Sequence, residues 1–475
     1  MSILKNIFNA FRSSRIIRTV KRPPSTPVPP PTPQPIQYLL SDMFTPNLVK
    51  PIDPSIKAVG PPFVVKNYKG GGYNRGTLEA VSANCYVTMC NVLNFLPKYS
   101  LQEINRWAVV QNLMVNPLAG QNLNAFYNRI SLQFFYFSHP SLSSTLFLAD
   151  SADVVSHELG HAIFDIYRPA GFNAALIEVA GAHEGIADFF SMLNALSYSE
   201  VMAYAINQVN GDLRKPNLIS GLAEDTGRVI NQLTGNRHNV NCLRNAINNY
   251  NYVPPSELPV EAPDDQLSSE CHSFGKILAG TFYDILVALY EKKLTEDKNP
   301  VNALAYARDT LAVLVIWAIR KAPLNVRYYE SLAKTILWVD QTKFSGANQQ
   351  LLKQIFLNRK LISDQIKILS AMPKCNDYTK IKYSKNTLVT KLSDHFIGIQ
   401  SNNPLYNTSI EIPNDQAIFY DLHGNCMDFT SFSASEAVKG GQEMVRYLHE
   451  GNKVNNDPFS QFKIENGKLI RNCFF

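Results

Sequence analysis

The sequence predicts an α+β fold, and three stretches carry that expectation. "AFYNRISLQFFYF" (125–137) concentrates aromatic and β-branched residues and reads as strands. From Asp153 to about residue 369, apolar residues recur at helical spacing in one segment after another. From Thr387 the texture returns to short strands, interrupted by one helical pattern near 434–449.

The elements follow in order. Residues 1–60 form a basic, Pro-rich arm expected to be disordered. Lys5, Arg12, Arg15, Arg18, Lys21 and Arg22 all precede the first acid, Asp42, and account for the whole net charge of +6. The body is therefore balanced, and bulk charge gives no sign of a nucleic-acid-binding surface. Asn and Arg interrupt the apolar positions of this arm, so it does not read as a secretory signal. A cytoplasmic location, or a mitochondrial one through a transit-like composition, is the expectation. "PPSTPVPPPTPQP" (23–35) is a semi-rigid polyproline spacer, and the arm is suited to touch an anionic membrane surface or a partner.

Folding is expected from about Pro61, with an upper lobe over 61–170, a mainly helical lower lobe over 171–375 and a C-terminal extension over 376–475. Apolar spacing places helices at 77–97 (stopped by Pro97), 153–167 (closed by Pro169 and Gly171) and 177–196. Residues 213–265, rich in Asn, Pro and Gly, read as surface loops with short helices. Helical patterns return at 272–292, 300–321, 327–339 and 346–369. "TLAVLVIWAI" (310–319) is about half the length needed to span a bilayer and reads as a buried helix, so no transmembrane segment is expected. In "FKIENGKLIRNCFF", Gly467 marks a hairpin turn. The seven cysteines include no CxxC pair and read as buried thiols.

Chemistry concentrates in "DVVSHELGHAIFD" (153–165). On a helix, His157 and His161 share a face one turn apart, as two ligands of one metal must. Glu158 is rotated about 100° from His157, near a metal but off its coordination axis, where a general base belongs. Zinc in hydrolytic sites takes three protein ligands. Glu184, in "AGAHEGIADFF" (180–190), can supply the third. Asp188 lies one turn further on the same face and can accept the second ring N–H of a ligating histidine. Glu178 competes for the third position but has no acid four residues on. His183 points about 100° away from Glu184.

"HELGH" followed by "EGIAD" resembles the gluzincin metallopeptidases, specifically the thermolysin and fungalysin families. The likeness is strongest over 120–290. It implies a two-lobed thermolysin-like fold with the site between the lobes, one Zn2+ per chain, and hydrolysis of a peptide or protein substrate, as an endopeptidase. "CHSFGKILAGTFYDIL" (271–286) is similar to the families' HxxG segment and implies that His272 donates to the oxyanion. "CLRNAI" (242–247) implies that Arg244 holds the substrate carbonyl on the leaving-group side. "NAFYN" (124–128) resembles the edge strand that pairs with substrate, with Asn124 acting through its side chain and Ala125 through its backbone. The chain departs from the pattern in having Ala175 where thermolysin has an oxyanion tyrosine, which leaves two alternatives: Tyr167 approaching from elsewhere, or His272 acting without it. It also lacks the acidic cluster of the paired calcium sites, so no calcium dependence is expected. The rival expectation is a zinc-stabilised, catalytically inactive peptide-binding or structural protein of the same fold.

Overall fold

The computed structural model describes residues 36–39, 49–52, 56–70, 77–100, 104–234, 242–363, 381–391, 407–421, 423, 425–451, 453–454 and 460–474. The polybasic and Pro-rich stretch 1–35 lies outside them. Residues 36–39 and 49–52 pair as two antiparallel strands.

The upper region is a mixed sheet over two helices. Strands β1 (Phe63–Val65), β2 (Leu113–Asn116) and β4 (Ser131–Phe134) run parallel, and β3 (Ala125–Tyr127) pairs antiparallel with β4 at the sheet edge. The predicted run 125–137 is thus cut into pieces, because Arg129 takes a left-handed turn (φ 70°) between β3 and β4. Alternation fixes which face is in: Leu113 and Val115 are buried while Met114 is exposed. Helix α1 (Leu78–Ser100) continues one turn past its expected stop. Pro97 sits inside that last turn.

Helix α2 (Ala152–Tyr167) begins where the Ser151 hydroxyl accepts the Val154 N–H. Helix α3 (Ile177–Ala195) packs against α2 more extensively than any other pair of elements. Gly160 permits the approach: a Cβ there would lie 2.7 Å from the Cα of Ala187. Helix α3 is buried from Ile177 to Asn194, on every side, so its polar residues Glu178, His183, Glu184 and Asp188 lie inside the fold.

The lower region is largely helical. It contains α4 (Ser199–Gln208), α5 (Glu224–Thr234), α6 (Cys271–Glu296), α7 (Pro300–Lys321), α8 (Tyr328–Phe344) and α9 (Gln349–Asn358). Helix α6 runs against α3 and α7. Although α7 is long and apolar enough to cross a membrane, 67% of its most apolar window is buried inside the fold. The pattern expected over 346–369 yields a helix only from Gln349 to Asn358; Lys360 then turns left-handed (φ 57°), and residues 364–369 lie outside the described residues. Residues 213–265 are not simply surface loops. Leu213, Ile219, Leu222 and Ala246 are buried, and short strands 221–222 and 244–245 pair to form one wall of a cleft.

The C-terminal region holds two sheets and a helix. Strands β5 (Ile381–Ser384), β8 (Gln416–Tyr420) and β9 (Cys426–Thr430) form one sheet. Strands β6 (Thr387–Lys391), β7 (Ser409–Pro413), β11 (Lys468–Arg471) and β10 (Phe462–Glu465) form the other, in that order. Helix α10 (Ala434–Glu450) starts with a reciprocal Ser433–Glu436 capping box. The β10–β11 turn is Asn466–Gly467, both at positive φ (52° and 71°), the primed turn that matches strand twist. Backbone bonds from Ala175 N–H to Glu411 C=O (3.0 Å) and Asp415 N–H to Leu324 C=O (2.7 Å) dock this region on the body. All six cysteines among the described residues are free thiols; Cys85, Cys90, Cys271 and Cys473 are buried, while Cys242 and Cys426 are partly exposed.

Candidate metal centre and cleft

Three buried ligand groups converge where α2 crosses α3. Glu184 Oε2 lies 3.4 Å from His157 Nε2, and Glu184 Oε1 lies 3.8 Å from His161 Nε2. The ligand atoms of His157, His161 and Glu184 all fall within 4.8 Å of one another. Both ring nitrogens of His161 and both oxygens of Glu184 are buried and make no hydrogen bond. Such groups are costly to bury unsatisfied, and a zinc ion among them would be bound by one imidazole nitrogen of His161 and by the Glu184 carboxylate. The donor set, two imidazoles and one carboxylate, suits zinc.

The surroundings tune these ligands. Asp188 Oδ1 lies 2.9 Å from His157 Nδ1, an ion-pair distance, while Nε2 faces Glu184. Arg244 Nη2 lies 2.9 Å from the same oxygen and 3.1 Å from His157 Nδ1. Burial opposes charge on Asp188, but Arg244 and His157 outweigh it and hold the carboxyl below its ordinary value. Burial, then the positive charges of His157, His183, His272 and Arg244, holds His161 well below its own, leaving it neutral and ready to ligate. Burial and Arg244 press the His157 pKa down, yet the Asp188 and Glu184 carboxylates raise it overall.

Glu158 lines the cleft beside His157, and its Oε2 makes no hydrogen bond. Burial pushes its carboxyl up to about 8, with His157 pulling it back and Glu184 adding to the rise. That is the range in which a base can both take and return a proton near neutrality.

His272 stands in the first turn of α6, its Nε2 3.4 Å from Glu184 Oε2. Glu270 is the cap of this helix. It accepts the backbone N–H groups of His272 and Ser273 (3.0 and 3.1 Å), and its Oε1 lies 2.7 Å from His272 Nδ1. Burial would lower the His272 pKa, but Glu184 and Glu270 lift it well above the ordinary value, so the ring is a charged donor. Sequence reasoning missed Glu270; its only sign was a carboxylate placed just before a helix start. Glu184, Cys271 and His272 also lie close enough together to hold a metal. Burial and the Glu270 charge raise the Cys271 thiol, and Glu270 already holds His272 Nδ1, so the two-histidine set is the better site.

The remaining candidates sort by position. Asn124, Ala125 and Arg244 line the cleft with His157, Glu158, Asp188 and His272, and Asn124 Oδ1 accepts the Ala125 N–H (3.0 Å). Glu178 faces elsewhere: it accepts the Tyr252 hydroxyl (2.7 Å) and the Tyr329 N–H (2.9 Å). His183 is enclosed by Phe164, Phe172 and Phe474. Tyr167 packs under the Arg320 guanidinium, and Ala175 is buried against β7, so neither replaces the absent tyrosine.

This cluster is consistent with a gluzincin-type zinc metallopeptidase site. No known family model matches the chain. No curated protein matches it in sequence.

Proposed function

We propose that the protein is a zinc-dependent peptidase that hydrolyses peptide bonds in the cleft. The observation that carries this reading is the neighbourhood of His157, His161 and Glu184, the last two with buried polar atoms that lack hydrogen-bond partners, with a raised carboxyl at Glu158 and a raised imidazole at His272. A structural metal site has no use for that base or that donor.

Zinc held by these three residues would lower the pKa of water and polarise the scissile carbonyl. Glu158 takes the proton of the attacking water and returns it to the leaving amine. His272 donates to the oxygen that becomes negative, held in place by Glu270. Asp188 keeps His157 in the tautomer that ligates through Nε2. Arg244, fixed by Asp188, presents its guanidinium to the cleft and can donate to a substrate carbonyl. Leu148, Val154, Leu222, Ile230 and Leu243 give part of the cleft an apolar lining, which favours a peptide with an apolar side chain there. The expected endopeptidase mode belongs to this reading, since an extended chain can lie along the edge of β3.

Glu158→Gln is the decisive variant. It should keep zinc and fold while hydrolysis of a peptide library falls by a factor on the order of 10²–10⁴. If the unaltered protein holds zinc and cleaves nothing in the library, the chain is instead a zinc-stabilised binding protein. Ala175 at the tyrosine position favours that rival.

A further inference from the structure

The edge of β3 already has an occupant. Phe135 N–H donates to Asn124 C=O and Asn128 N–H to Ser131 C=O, both at 3.2 Å, so the even-numbered residues of this strand face β4. Ala125 and Tyr127 therefore direct their backbone groups outward along one edge, where Asn124 Oδ1 accepts the Ala125 N–H. Ala125 lines the cleft next to the metal cluster. Two residues further on, Tyr127 N–H donates to Phe474 C=O and Tyr127 C=O accepts the Phe474 N–H, each at 2.9 Å. The bridge is antiparallel, so residues 472–474 run opposite 129–127 and reach Tyr127 from the side away from Ala125 and the cleft.

Side chains hold this segment down. The Phe474 ring is 1% exposed, stacked on His183 (centroids 3.8 Å apart) and on His161 itself (4.9 Å). The Arg471 guanidinium lies 3.9 Å from the same ring, and its Nε donates to Phe172 C=O. Cys473 turns the other way and packs with Phe126 and Phe135. An extended peptide that continued along the edge past Ala125 would need the two Tyr127 groups that Phe474 holds.

We propose that the 472–474 segment is an intramolecular competitor for the peptide-binding edge, so that peptides long enough to reach Tyr127 bind only when it is displaced. The inference deepens the peptidase reading and rests on it for the identity of the competing ligand, an extended polypeptide. Peptides that stop at Ala125 escape the competition.

The test is binding, read apart from hydrolysis. Zinc-loaded Glu158→Gln protein is titrated with two fluorescent peptides, one spanning only the Ala125 position and one extended past Tyr127. The titrations are repeated in the same chain lacking residues 473–475. The longer peptide should bind the shortened chain at least about tenfold more tightly, a difference of ~1.4 kcal/mol, and the shorter peptide should not distinguish the chains. A synthetic Arg-Asn-Cys-Phe-Phe peptide should displace the longer probe from the shortened chain. Should the shortened chain lose its zinc or its unfolding transition, Phe474→Ala in the full chain replaces it with the same expected direction. Equal affinity of the longer peptide for altered and unaltered chains overturns the proposal. Hydrolysis is then measured with Glu158 in place. Tail-dependent binding without cleavage means that the peptidase reading alone has failed; cleavage without tail dependence means the reverse.

Discussion

At the scale of single residues, the centre depends on pairs rather than on isolated groups. Asp188 serves His157 and Arg244 with one oxygen, so its loss removes both a tautomer lock and an anchor. Asp188→Asn should weaken zinc binding by roughly 10–100-fold, measured by competition with a chromophoric chelator, while the unfolding transition persists. Glu178 makes a different kind of prediction. Burial pushes it up to about 7 from an ordinary 4.5, against the pull of Arg327, Tyr252 and the Tyr329 N–H. A carboxyl raised in the folded state adds stability below its unfolded pKa, and that stability is lost as pH rises through the folded one. From pH 4.5 to about 7, the protein should therefore lose ~3 kcal/mol relative to Glu178→Gln. Chemical unfolding of both proteins at pH 5 and pH 8 checks this; parallel pH profiles would refute it.

Elements explain which parts of the site were legible beforehand. Helices α2 and α3 carry their ligands at local spacings, and a helix fixes the geometry of such spacings by itself. His157, His161, Glu184 and Asp188 could therefore be placed from sequence. Other features depend on distant partners. The wall at 242–245 exists because it pairs with 221–222, and Phe474 reaches Tyr127 across most of the chain. No local pattern encodes either meeting. The close crossing of α3 and α6 was equally hidden, since glycines in helices read as weak points rather than contacts. A Cβ on Gly275 would come within 2.6 Å of the Glu184 Cβ and 3.0 Å of the Gly181 carbonyl oxygen. Gly275→Ala should cost about 1–3 kcal/mol of stability through overpacking. Because the clash falls on the Cβ of the metal ligand Glu184, this variant should also weaken zinc binding. Denaturant unfolding and metal content, measured on one preparation, separate the two effects.

For the whole molecule, an α+β upper region and a helical lower region meet at the cluster, and the C-terminal sheets cover one flank. Arg129 ties the β3–β4 edge to α2: its guanidinium grips Asp165 at 2.7 and 2.9 Å, and the Tyr127 hydroxyl reaches the same carboxylate at 2.9 Å. Zinc should act as a stabilising ligand of the assembled fold. Metal at a hundred times its dissociation constant would add ~2.7 kcal/mol, read as a drop in the thermal midpoint on chelation and its recovery on adding zinc back.

The packing of α2 directly on α3 has a further consequence, for the order in which the chain acquires structure. The three metal ligands belong to one helical hairpin, adjacent in sequence, whereas His272, the cleft wall and Phe474 arrive from far along the chain. Closing the short hairpin costs little entropy compared with those distant encounters. A nascent chain could thus capture its metal while the groove that gives the metal a task is still unmade.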